Sequence, residues 1–289
     1  MLLYTYLGCY LLTDAQLDDR LAQLDRPREG GRPGNDSGSP DAEDTGDSNH
    51  PGDSGDSGDD DDSGGGGDST DTGDSATPDE GCWALFFDDP TDFATVRGPK
   101  NVTKADAWTV EAWVYYESND GSIFQKWGYN VEDRQLRIAG DLAVGAIATS
   151  SADAGEVYSS TAIERNEWTH LAMQWIGSSG AIELWVNGDK HDVDSPGGTP
   201  LDANADIVLG YINRELEVDA IGGAIADVRL SNNARYEKAF VPEAELVPDA
   251  ATMGLWKFDE GDGAYALDTS VNKQDAQITG ATWAKRPCR

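Results

Sequence analysis

From Cys82 onward the chain alternates in twos. The run 108–116 (WTVEAWVYY) puts Trp108, Val110, Ala112, Val114 and Tyr116 on one side and Thr109, Glu111, Trp113 and Tyr115 on the other. That is the period of a strand laid on a core. Shorter runs of the same texture occur at 83–87, 122–125, 135–138, 168–176, 181–186, 206–211, 224–230, 254–258 and 276–283. Turn formers separate them, among them Asn119-Asp120-Gly121, Gly177-Ser178-Ser179-Gly180 and Gly261-Asp262-Gly263. Asn187-Gly188, straight after 182–186, is the signal of a type I′ hairpin. Many short strands at this spacing predict an all-β fold, a two-sheet antiparallel jelly-roll sandwich over 81–289. Two stretches carry helical spacing instead. Leu17, Leu21 and Leu24, behind Thr13 or Asp14 as N-cap, predict a short helix in 13–29. The segment 234–246 invites another, interrupted at Pro242.

Ahead of Cys82 the alternation stops. The tract 30–80 is almost wholly Gly, Asp, Ser, Thr and Pro, without Phe, Trp or Tyr and with isolated alanines as its only aliphatic residues. Such a segment buries too little apolar surface to offset the entropy of ordering it, which predicts a disordered acidic linker. Its Asp-Ser-Gly and Asp-Thr-Gly steps lack the helix flanks and terminal Glu of an EF-hand loop. The whole chain carries a formal net charge of −33. That balance excludes nucleic acid as a partner, because binding a polyanion requires a basic face. The start, 1–12 (MLLYTYLGCYLL), is apolar but shorter than the ~20 residues that span a bilayer. It also lacks the basic beginning of a signal peptide. Tyr6-Leu7-Gly8-Cys9 resembles a bacterial lipobox, with Tyr6 in the place of the usual leucine. That resemblance implies attachment to a membrane through a lipidated Cys9.

The order of motifs after Cys82 resembles the LamG-like jelly-roll family of the concanavalin A-like lectin/glucanase fold. The resemblance runs through Ala84-Leu85-Phe86-Phe87-Asp88-Asp89, Thr109-Val110-Glu111-Ala112-Trp113-Val114 and Glu167-Trp168-Thr169-His170-Leu171-Ala172. It continues in Glu183-Leu184-Trp185-Val186-Asn187-Gly188 and 223–230, and ends in Leu255-Trp256-Lys257-Phe258-Asp259-Glu260-Gly261 followed by 268–272. Val271 stands where the family pattern has glycine. In a jelly roll the first and last strands usually lie side by side, so Cys82 and Cys288 either close the domain as a disulfide or remain two free thiols. Trp113, Trp168, Trp185 and Trp256 read as core packing, and His170, inside a strand, as a packed histidine.

The fold is shared with glucanases, which carry alternating carboxylates along one strand. Glu215, Glu217 and Asp219 alternate too, but in the order Glu-Glu-Asp and in a variable loop of the pattern, so they read as a solvated acidic loop. No nucleophile elbow, phosphate loop or Cys/His cluster occurs, and the reading is non-catalytic. Calcium is the expected cofactor, held by Asp268 and Asn272 in the 268–272 turn with Asp227 and Asp259 from neighbouring strands. The alternative for Asp268 and Asn272 is an Asx turn. Trp127 and Tyr129 are the expected ligand contacts, placed to stack on a sugar. The resemblance implies a cell-surface or extracellular module that binds a glycan or a surface protein. A structural adhesion element and a glycan-cleaving enzyme are the alternatives.

Overall fold

The computed structural model describes residues 81–99, 106–128, 131–151, 154–202, 204–214 and 217–289, with backbone alone at 127, 128, 131, 132, 212–214 and 217–219. The expected anchor 1–12, Cys9, the helix in 13–29 and the linker 30–80 lie outside the described residues.

The strands, in chain order, are β1 (Cys82–Phe87), β2 (Phe93–Val96), β3 (Ala107–Ser118), β4 (Gly121–Gly128), β5 (Val131–Ala139), β6 (Leu142–Ile147), β7 (Gly155–Tyr158), β8 (Trp168–Ile176) and β9 (Ala181–Val186). They continue as β10 (Asp189–Asp194), β11 (Ile207–Leu209), β12 (Tyr211–Arg214), β13 (Glu217–Ala220), β14 (Gly222–Ser231), β15 (Thr252–Trp256), β16 (Tyr265–Ala266), β17 (Ala276–Thr279) and β18 (Thr282–Arg286). One eight-stranded sheet runs β10-β9-β8-β3-β14-β1-β18, with β15 also paired to β14. The second runs β16-β17-β2-β11-β4-β5-β6-β7, and β12–β13 form a separate hairpin. Every pairing is antiparallel.

The expected alternation holds along β3. Trp108, Val110, Ala112, Val114 and Tyr116 enter the core, where they meet Phe124, Leu136, Ile138 and Leu209 from the second sheet. The first strand lies beside the last, Cys82 opposite Arg286, and Cys82 and Cys288 are joined as a disulfide with Cα atoms 5.0 Å apart. Two glycines permit close approaches. A Cβ on Gly210 (φ +81°) would sit 2.0 Å from the Phe87 ring, and one on Gly223 (φ +144°) 2.1 Å from the Tyr115 carbonyl oxygen.

Three expectations are corrected. The apolar stretch 276–283 is two strands rather than one, broken at Gly280, whose φ is +75°. Segment 234–246 forms no helix. Its backbone donors are spent on the sheet: Arg235 and Tyr236 N–H donate to Gln174 Oε1 (3.0 and 3.1 Å), Phe240 N–H to the Gly188 carbonyl (3.1 Å) and Leu246 N–H to Asp227 Oδ2 (2.9 Å). Finally, Trp256 packs in the core as expected, but Trp113 and Trp168 stand half-buried on the outer face of the first sheet. Trp185 also faces outward, and is buried there beneath Tyr236 and Phe240.

Candidate binding cavity

On the outer face of the first sheet the strand register brings charge into a buried place. Glu111 on β3 lies opposite Arg229 on β14, and two residues further along β3 Trp113 lies opposite His170 on β8. Glu111 and His170 are fully buried, and Arg229 nearly so. The Glu111 carboxylate accepts from Arg229 Nε (2.8 Å) and from the Tyr236 hydroxyl, and His170 Nε2 lies 3.1 Å from it. Burial alone would raise this carboxyl, but the His170 hydrogen bond and the Arg229 charge outweigh it and hold the group down at about 2. Burial, reinforced by the neighbouring Glu111 charge, pushes the Tyr236 hydroxyl above its ordinary value, so the phenol stays protonated and donates.

This cluster pins the long connection between β14 and β15 to the sheet. Gln174 takes part from β8: its Nε2 donates to the Tyr236 carbonyl (2.6 Å) and to Glu183 (2.8 Å). The Tyr236 and Phe240 rings stack with centroids 3.7 Å apart, each 5.9 Å from Trp185. Further along, Arg235 holds Asp249 with two parallel hydrogen bonds of 3.0 and 2.8 Å, and this pairing keeps the Asp249 carboxyl well below the usual carboxylate range. Arg229 Nη1 donates to the Val247 carbonyl (3.0 Å).

The connection thereby borders an open cleft of about 410 Å³, a volume within the range of small-molecule sites. It is lined by the Tyr236–Phe240 stack, the Arg235–Asp249 pair, Asn233, Glu243, Leu246, Val247 and Pro248, among others. Aromatic area thus stands beside planar hydrogen-bonding groups in one cleft. Sequence reading missed this site. Its signal was present in two charged residues, Glu111 and Arg229, set among apolar neighbours on two strands, and in a long strandless stretch bearing Pro242 and Pro248.

The residues expected to hold calcium are placed otherwise. Asp268 is buried, and its carboxylate accepts four hydrogen bonds: from Leu255 N–H and Ser270 N–H at Oδ1, and from Ser270 Oγ and Gln274 N–H at Oδ2, all between 2.8 and 3.0 Å. Asn272 donates its amide to the Met253 carbonyl (2.7 Å). Asp227 Oδ2 accepts from Leu246 N–H and Arg289, each 2.9 Å or less, while Asp259 pairs with Lys257 at 3.3 Å. Both Asp268 oxygens are thus saturated by hydrogen-bond donors, and no group of three or more His, Cys, Asp or Glu residues placed to hold a metal ion occurs among the described residues. The Ser270 N–H bond to Asp268 Oδ1 is that of an Asx turn.

Trp127 belongs to β4, but its side chain, and Tyr129 entirely, lie outside the described residues. So does Glu215. The backbone sets Glu217 and Asp219 on β13, opposite Arg214 and Ile212. They therefore stand on the two-stranded hairpin rather than on a strand of either sandwich sheet.

A sandwich of two antiparallel sheets with paired first and last strands is a lectin-type architecture, and the chain belongs to the concanavalin A-like lectin/glucanases superfamily, whose family profile matches residues 88–239. The matching profile is that of its laminin G-type branch. Among solved structures, a candidate carbohydrate-binding protein from Bacteroides ovatus is 19% identical with a TM-score of 0.55, covering 71% of this chain and 60% of its own. The present chain therefore spans less than two thirds of that protein. Domains LG4-5 of the mouse laminin alpha1 chain are 13% identical with a TM-score of 0.45, over 55% of this chain and 45% of that one. The CBM40 of the Ruminococcus gnavus IT-sialidase is 12% identical with a TM-score of 0.43, over 54% of this chain and 94% of that one. Likeness at these identities concerns the fold. No curated protein matches by sequence.

Proposed function

We propose that residues 81–289 form a non-catalytic binding module, displayed outside the cell, that takes a carbohydrate into the cavity beneath the β14–β15 connection. The observation that carries this reading is the cavity itself: a two-ring stack and a planar Arg235–Asp249 pair, held on a sheet by a buried ion network. Membership of a lectin-type superfamily supports it, as does the disulfide, since such bonds persist in oxidising compartments. In this proposal 1–12 anchors the chain through a lipidated Cys9, 13–29 forms a short helix and 30–80 is the linker that holds the module away from the membrane. A surface protein is the second ligand class, favoured by the exposure of Val241 (91%) and Val247 (61%) beside the cavity.

The test is a titration of the full chain against a panel of neutral and acidic polysaccharides by calorimetry, with Arg235→Ala alongside. Saturable binding that Arg235→Ala weakens tenfold or more, without release of reducing ends, is expected; that loss corresponds to about 1.4 kcal/mol. Binding unchanged in Arg235→Ala would place the ligand elsewhere. Release of reducing ends would favour an enzyme using Glu215, Glu217 and Asp219, and absence of glycan binding would favour the protein-ligand or adhesion reading.

A further inference from the structure

Where β4 gives way to β5, a lysine meets two carboxylates. Lys126 on β4 pairs across the ladder with Arg134 on β5. Lys126, Asp133 and Arg134 are each no more than 3% exposed. The connection between β10 and β11 is tied to the residues just after β6: Thr149 bridges Pro200, and Leu201 N–H donates to the Ala148 carbonyl at 2.9 Å. Ala148 N–H in turn donates to the Asp133 carbonyl at 2.7 Å. These bonds deliver Asp202 to the lysine. Lys126 Nζ lies 2.9 Å from Asp133 Oδ2 and 3.2 Å from Asp202 Oδ1. The other Asp133 oxygen accepts from Arg134 Nε at 2.6 Å, and the Arg134 guanidinium stands 4.3 Å from the centroid of the Trp108 ring.

The two carboxylates differ in a way that decides their chemistry. Asp133 is fully buried and held by a cation at each oxygen, whereas Asp202 is 38% exposed. A water-excluded site disfavours an ammonium, which is what turns a buried lysine into a nucleophile. A buried ion pair also often recovers less in Coulomb attraction than its charges lose in hydration. Condensing the Lys126 ammonium with the Asp202 carboxylate removes one charge of each sign. Arg134 and Asp133 then remain as a matched pair.

We infer that Lys126 and Asp202 join as an isopeptide bond, with Asp133 as the proton carrier. Asp133 takes a proton from the Lys126 ammonium, and the freed amine adds to Asp202 Cγ. The bond formed is Nζ–Cγ and the bond broken is Cγ–O. The departing oxygen leaves as water with two protons that began on Nζ, both passed on by Asp133, which ends as the carboxylate it was at the start. No oxidant or cofactor enters. The exposure of Asp202 gives the water an exit, and the Arg134 bond keeps Asp133 in place. The link spans 76 residues of sequence. It fastens the β10–β11 connection to the second sheet, as the Cys82–Cys288 bond fastens the first strand of the first sheet to the segment after its last.

The experiment is peptide mapping of the full chain, reduced, alkylated, digested with trypsin and read by tandem mass spectrometry. Trypsin does not cleave after an acylated lysine. The link therefore joins a peptide running through Lys126 to the peptide holding Asp202, at the sum of their masses less one water. The expected result is this species in most of the wild-type chain and its complete loss in Lys126→Arg and Asp202→Ala. Asp133→Asn, which keeps the shape and loses the carboxylate, should hold its near-UV circular dichroism and fail to link. A wild-type chain that is folded and yields the free Lys126 and Asp202 peptides overturns the inference. So does a loss of water that persists in Asp202→Ala, since a succinimide or another linkage then accounts for it. Linking at the wild-type level in Asp133→Asn removes Asp133 from the step. If that variant does not fold, the wild-type and Asp202→Ala maps still decide whether the bond exists.

Discussion

Replacing Glu111 with glutamine tests the physical basis of the cavity. The side chain is fully buried, and its charge is matched by Arg229, with Arg235 Nε at 3.6 Å and His170 and Tyr236 also against it. Glu111→Gln keeps the shape, removes the charge and turns an amide N–H₂ toward groups that donate, so Arg229 is left as a buried cation without its carboxylate partner. Breaking a buried ion pair from one side costs about 3–5 kcal/mol. Linkage gives the same scale. A carboxyl held at about 2 against an ordinary 4.5 contributes about 3 kcal/mol at neutral pH. The folded-state value is the lower one, so this stability is present above pH 4.5 and drains away as pH falls toward 2. Glu111→Gln should therefore melt about 10 °C lower at pH 7 by calorimetry. The gap to wild type should narrow steadily below pH 4.5. An exposed control, Glu167→Gln, should stay within about 0.5 kcal/mol. Because Tyr236 is held by Glu111, glycan affinity should fall with stability. A variant melting within about 2 °C of wild type, with a gap independent of pH, would refute the reasoning.

Calcium and a chelator should leave the melting temperature unchanged to within about 1 °C, because the Asp268 carboxylate is already saturated; a rise of several degrees with calcium would contradict the geometry. Asp268→Asn should instead cost about 2–3 kcal/mol, read by denaturant unfolding, since its amide N–H₂ would face N–H donors. Reducing the disulfide, which links residues 206 apart in sequence, should lower stability by about 5 kcal/mol on a chain-entropy model, and an unchanged guanidinium midpoint would argue against it. Gly223→Ala should fail to accumulate as folded protein, because its Cβ would meet the Tyr115 carbonyl oxygen at 2.1 Å; wild-type melting would show that the β3–β14 register yields there.

The sequence alone carried what is local. Period-two alternation marks β3, β8 and β9 because each side chain's face is fixed by its own strand, and β8 and β9 begin and end where their apolar runs do. Asn187 and Gly188 hold positive φ angles of 50° and 86° at the hairpin those residues announced. Strands with little apolar character escaped: β10 (DKHDVD) is an edge whose ladder, not its side chains, makes it a strand. The Cys82–Cys288 closure was legible as one of two outcomes, because it depended on a topology the motifs implied. The cavity was not legible. Glu111 and Arg229 are 118 residues apart in sequence, and nothing in either strand says that they share a rung until the β3–β14 register is set. The same holds for the 234–246 connection, whose composition suggests a helix in isolation. Its backbone donors find Gln174, Gly188 and Asp227 only once the sheet exists, and those fixed acceptors outweigh a helix that Pro242 would break.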